Sequence, residues 1–126
     1  MKVKIGKPKE NQKVSIQIHD YDVEAMDYTL ALIIAPMLRK FKATRDCSPF
    51  VEDEDVPEAI RTTAAKVTTK EYEEDEFLHD RWDWVLDEMI AAFEAIAEDQ
   101  ESTKEREMRV DRGLRYFGKY YRSLWN

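Results

Sequence analysis

Residues 79–89 read HDRWDWVLDEM, with two tryptophans, four acids and one of the chain's two histidines. Trp82, Val85, Leu86 and Met89 recur at i, i+3, i+4 and i+7, the spacing that stacks side chains on one face of an α-helix. Leu78, Phe93 and Ile96 extend that stripe, so a helix is predicted over 73–99. Glu76, Asp80, Asp83 and Asp87 form an acidic stripe on a neighbouring face. Trp84 and Glu88 fall outside both stripes, and Trp84 is thereby a candidate contact residue.

A second long helix is predicted over 103–125. Its apolar positions are Val110, Leu114, Phe117, Tyr121 and Leu124. Few residues separate the two helices, which implies an antiparallel helical hairpin. Arg112, Arg115, Lys119 and Arg122 form a basic stripe, expected to lie beside the acids of the preceding helix. Exposed pairs of this kind contribute about 0.2–1 kcal/mol each and set orientation more than stability. Gly113 and Gly118 weaken the helix intrinsically; close packing of helices is the expected compensation.

Upstream, KVKI (2–5) and KVSIQIH (13–19) alternate polar and apolar residues around a turn with Gly6 and Pro8, which predicts a β-hairpin over 1–19. Two strands are marginal alone, so Val3, Ile5, Val14, Ile16 and Ile18 are expected to pack on a helix or on another subunit. A first helix is predicted over 20–43, capped by Asp20 or Asp22, with Val23, Met26, Leu30, Ile33, Ile34, Met37 and Phe41 as its apolar stripe. Pro36 interrupts it and predicts a kink or an early end. Residues 44–72 read as an irregular connection with a helical turn at VPEAI (56–60). The expected architecture is one mainly α domain: three helices, two of them a long antiparallel hairpin, plus a small N-terminal β-hairpin.

The 126 residues carry a formal net charge of −7, which argues against broad nucleic-acid binding. Cys47 is the one cysteine and offers neither an intrachain disulfide nor a cysteine cluster. The longest apolar run, LALIIAPML (30–38), is too short for a membrane span, and the N-terminus lacks the apolar centre of a signal peptide. A soluble intracellular protein is expected.

Motifs for chemistry are sparse. Glu76 and His79 form Glu-x-x-His, the spacing of ferritin-like di-metal bundles, with Asp83 and Asp87 on successive turns. Such bundles need a second Glu-x-x-His, and His19 sits in none, so a solvated acidic face is favoured over a metal site. Helical phage enzymes that cleave nucleoside triphosphates hold magnesium through Glu-Glu-x-x-Glu followed by Glu-x-x-Asp. EEDEF (73–77) has Phe77 at the third glutamate, so Mg or Mn enters only under an alternative reading as a nucleotide-processing or nucleotide-binding protein. Catalytic residues are not assigned, and the enzyme reading is disfavoured. The C-terminal RGLRYFGKYYRSLWN (112–126) interleaves cations with aromatics, the residue types that dominate interface hot spots. Tyr116, Tyr120, Arg122 and Trp125 join Trp84 as interaction candidates. The acidic FVEDEDVPEAI (50–60) is a solvated loop or, for an inhibitor, a mimic of nucleic-acid charge.

The strings HDYDVEAMDYTLALIIAPMLRKFKAT (19–44), PFVEDEDVPEAIRTTAA (49–65), RWDWVLDEMIAAFEAI (81–96) and RGLRYFGKYYRSLWN resemble, in order, a family of small uncharacterised proteins of tailed bacteriophages, common in marine phages. Relatives with a longer N-terminal segment and an insertion before the last helix differ from this chain at both places. The resemblance implies a phage protein acting in the host cytoplasm or carried in the virion. The expected role is accessory and non-catalytic, binding a host or phage protein, with a homo-oligomer suggested by the aromatic surplus; a minor virion component is the other alternative.

Overall fold

A computed structural model describes residues 1–65, 75–98 and 101–126. Among them are strands β1 (Lys2–Ile5) and β2 (Val14–Gln17) and helices α1 (Met26–Thr44), α2 (Leu78–Ala97) and α3 (Lys104–Tyr120). The fold is mainly helical with a small antiparallel two-stranded sheet, as the periodicities predict. The predicted boundary at 72–73 and the predicted helix end at 99 lie outside the described residues.

α2 is the central element, packed on α1 and on α3. Trp82, Val85, Leu86 and Met89 are buried, so the opening stretch supplies the core stripe predicted for it. Trp82 meets Phe41 of α1 and Tyr120 of α3 edge-on, with ring centroids 6.4 and 5.9 Å away. One indole thus joins all three helices, an arrangement that edge-to-face aromatic contacts favour.

α3 turns a different face inward than its apolar spacing suggests. Val110, Gly113, Tyr116 and Tyr120 are buried, whereas Leu114 and Tyr121 are exposed. Gly113 explains the rotation. A Cβ there would lie 2.4 Å from both the Ala92 Cβ and the Glu88 carbonyl oxygen, so α3 crosses α2 where a side chain cannot fit. Gly118 has open space around its missing Cβ. Gly118→Ala is therefore expected to stabilise the protein by about 0.5–1 kcal/mol, through helix propensity alone, as a raised urea midpoint with unchanged slope.

α1 also departs from the pattern. Its buried residues are Ala31, Ala35 and Leu38. Small alanines let α1 approach α2, while Met26, Leu30, Ile33 and Met37 of the predicted core stripe stay exposed. The helix runs through Pro36 to Thr44, so the proline does not end it. Asp20 and Asp22 belong to a separate 3-10 turn and do not cap α1; the Asp22 carboxylate accepts from the His19 amide at 2.8 Å and pairs with the N-terminal ammonium at 3.1 Å. Thr103 does cap α3, its side chain accepting from the Arg106 amide at 3.1 Å.

The irregular connection is ordered over 45–65, where 3-10 turns cover Asp53–Asp55, Glu58–Ile60 and Thr62–Ala64. The second of these falls in the VPEAI turn. Val51 and Val56 are buried, so this segment completes the core and is not a free loop.

Candidate functional site

The acidic connection and the basic aromatic helix meet. Lys119 sends its Nζ among three carboxylates, 2.5 Å from Glu52, 3.3 Å from Glu54 and 2.7 Å from Asp55. Tyr120 donates its hydroxyl to the buried Asp55 carboxylate at 2.5 Å and accepts from the Glu52 amide at 3.2 Å. Tyr116 donates to the Asp55 carbonyl at 3.0 Å. These bonds explain why two tyrosines fill core positions: each buried hydroxyl has a partner, which removes the cost of burying it. Tyr116 and Tyr120 are only 3% and 6% exposed. Their expected place on a contact surface is corrected accordingly, since their polar ends are engaged inside the fold.

The electrostatics follow from this geometry. Hydrogen bonds to Asp55 and then Glu52 hold the Lys119 ammonium above the usual lysine range. The Lys119 bond holds Glu52 below the usual carboxylate range. Burial, reinforced by the bond to Asp55, pushes the Tyr120 phenol up to about 12 from 10.0. A phenol with a raised folded pKa favours the native state below its unfolded value; that preference is lost as pH rises through the folded one. Tyr120→Phe is expected to cost about 2 kcal/mol at neutral pH, by loss of a bond to a carboxylate. Its deficit relative to wild type should shrink between pH 10 and about 12, where unfolding releases the Tyr120 proton. Urea melts of both proteins across that range check this; a constant deficit contradicts it.

Asp83, Asp87 and Glu94 of α2 pair with cations at the C-terminal end of α1 and its cap residue Arg45, not with α3. Asp83 meets Arg45 at 2.5 Å, Asp87 meets Lys42 at 2.6 Å and Glu94 meets Arg39 at 2.7 Å. Glu88, outside the predicted stripe, is the residue that reaches α3: Arg112 lies 2.8 Å and Arg109 3.5 Å from its carboxylate. The expected α2–α3 charge ladder is thereby corrected. The C-terminal cations of α1 come first because α1 packs along the acidic edge of α2. Trp84 acquires a role too. It is half-buried against Tyr116, centroids 6.0 Å apart, with the Arg112 guanidinium 5.7 Å over its ring.

Glu76, His79, Asp83 and Asp87 do not gather round one point. His79 Nδ1 shares a hydrogen bond of 2.7 Å with the Ser48 hydroxyl, while Asp83 and Asp87 hold Arg45 and Lys42. Among the described residues, Glu52, Glu54 and Asp55 are the acids close enough to share an ion, and the Lys119 ammonium stands between them. Cys47 is exposed and free.

Sequence inspection missed Arg81. It is fully buried, paired with Asp75, and donates to the Ile60 carbonyl at 3.0 Å. Its position between Asp80 and Trp82, one step from the core stripe, was the available signal.

An apolar groove opens at the surface. Ile34, Met37, Leu38, Phe41, Phe117, Tyr121 and Leu124 line a groove of about 540 Å³ between α1 and the end of α3. Tyr121 in its lining is 62% exposed, and its chain neighbours Arg122 and Trp125 are exposed too, Trp125 by 69%. Of the predicted contact residues, Arg122 and Trp125 are thus accessible at one end of α3. No family model, curated protein or solved structure matches the chain. Among the described residues no helix is long and apolar enough to cross a membrane.

Proposed function

We propose that the protein is a phage-encoded accessory factor that binds a host or phage protein in the host cytoplasm, without catalysis of its own. The groove between α1 and α3 carries this reading. Its apolar floor and the exposed Tyr121, Arg122 and Trp125 combine a concave surface with the residue types that anchor interfaces. The polar chemistry elsewhere supports it, since Asp83, Asp87 and Glu94 of α2 and Glu52, Glu54 and Asp55 of the turn are engaged by cations of the same chain. Affinity capture from host lysate tests the proposal. The wild-type protein should retain a partner that a Tyr121→Ala/Trp125→Ala variant of equal helical content loses. Identical captured sets would overturn it.

A further inference from the structure

The β-hairpin has an apolar face that stays exposed among the described residues. Its register sets Val3 opposite Ile16 and Ile5 opposite Val14, which places four β-branched residues on one face, with Lys2, Lys4, Ser15 and Gln17 on the other. Val3, Ile5, Val14, Ile16 and Ile18 are all exposed. A two-stranded hairpin is marginal unless such a face packs against something.

α1 presents the complement. Met26, Leu30 and Ile33, with Met37 at the end of the row, form an exposed stripe beside the face that alanines press on α2. The nine side chains of hairpin and stripe are each 37–66% exposed. Together they are on the scale of the roughly 800 Å² per partner that a stable interface buries.

Charge selects what covers them. Residues 1–19 hold five lysines against Glu10, whereas residues 20–38 hold Asp20, Asp22, Glu24 and Asp27 and no cation. The lysine-rich hairpin is thus matched in apolarity and opposite in sign to the region around the α1 stripe. We infer that the protein is a homodimer in which the hairpin of each copy lies on the N-terminal half of the partner's α1. Each chain supplies one hairpin and one stripe, so a two-fold arrangement closes with both surfaces covered. Lys2 and Lys4 lie on the hairpin's outer face, so it is the turn lysines Lys7 and Lys9 that meet Glu24 and Asp27 at the edge of the seat. The stripe adjoins the α1–α3 groove at Met37, whereas Met26, Leu30 and Ile33 lie outside that groove, so substitution at Ile33 tests the dimer without touching the groove.

Two measurements on the purified chain test this. Sedimentation should give twice the chain mass at micromolar concentration, and Ile33→Lys should halve it with unchanged helical circular dichroism. In a Cys47→Ser background, chains carrying Ile16→Cys mixed with chains carrying Ile33→Cys should form a disulfide-linked pair on mild oxidation. Both sites are exposed, so neither cysteine disturbs the fold. A monomer mass for wild type would overturn the inference. So would a chain carrying both cysteines that closes the bond within itself, since the hairpin would then cover its own α1.

Discussion

Gly113→Ala is expected to destabilise the protein by about 3 kcal/mol or more, even though alanine is the better helix former by about 1 kcal/mol. The added Cβ would lie 2.4 Å from the Ala92 Cβ and from the Glu88 carbonyl oxygen, and the second of these is backbone that cannot swing aside. α2 and α3 would have to separate. That movement would strain the Arg112–Glu88 pair and the packing of Trp84 on Tyr116. The same substitution five residues later, at Gly118, is expected to stabilise. Opposite signs on one helix separate a packing requirement from a propensity effect, and urea denaturation of the two variants decides it. Equal effects would place the α2–α3 crossing elsewhere.

Asp75→Ala is expected to cost about 3–5 kcal/mol, the scale for breaking a buried ion pair by removing one partner. Arg81 is wholly buried, so without Asp75 its guanidinium keeps the Ile60 carbonyl but loses its opposite charge. Replacing both residues, as Arg81→Met/Asp75→Ala, should recover much of the loss, because an apolar side chain of similar length suits the site. The Arg81 bond also holds the Asp75 carboxyl below the usual range. Its contribution is therefore present above the ordinary value of 3.8 and disappears as pH falls below it. Melting temperatures of wild type and Asp75→Ala should converge in acid. A deficit that persists unchanged there would count against the pair.

Periodicity carried the fold well where large apolar side chains make up the buried surface. α2, sandwiched between two helices, announced its core residues directly through Trp82, Val85, Leu86 and Met89. α1 did not, because its largest apolar residues are the exposed ones and its packing face is made of Ala31, Ala35 and Leu38. Small residues read weakly in a hydrophobic pattern, yet they are what permits close approach. α3 misled for a related reason: Gly113 sets the crossing, and the buried tyrosines depend on a partner, Asp55, some sixty residues away in the chain. Such long-range satisfaction of a hydroxyl leaves no local mark. Charge patterns were legible as stripes but not as pairs, since which helix lies beside the acids of α2 is decided by packing. Trp84, unplaced by spacing alone, is explained by Tyr116 and Arg112.

On the proposed function, the exposed end of α3 contacts another protein. Site-specific photo-crosslinking tests it most directly, with a photoreactive phenylalanine analogue at position 125 in host cells, and the same analogue at the exposed Glu105 as control. A covalent adduct with a different polypeptide is expected at position 125 and none at 105. Adducts at neither position, or equal adducts at both, would contradict it.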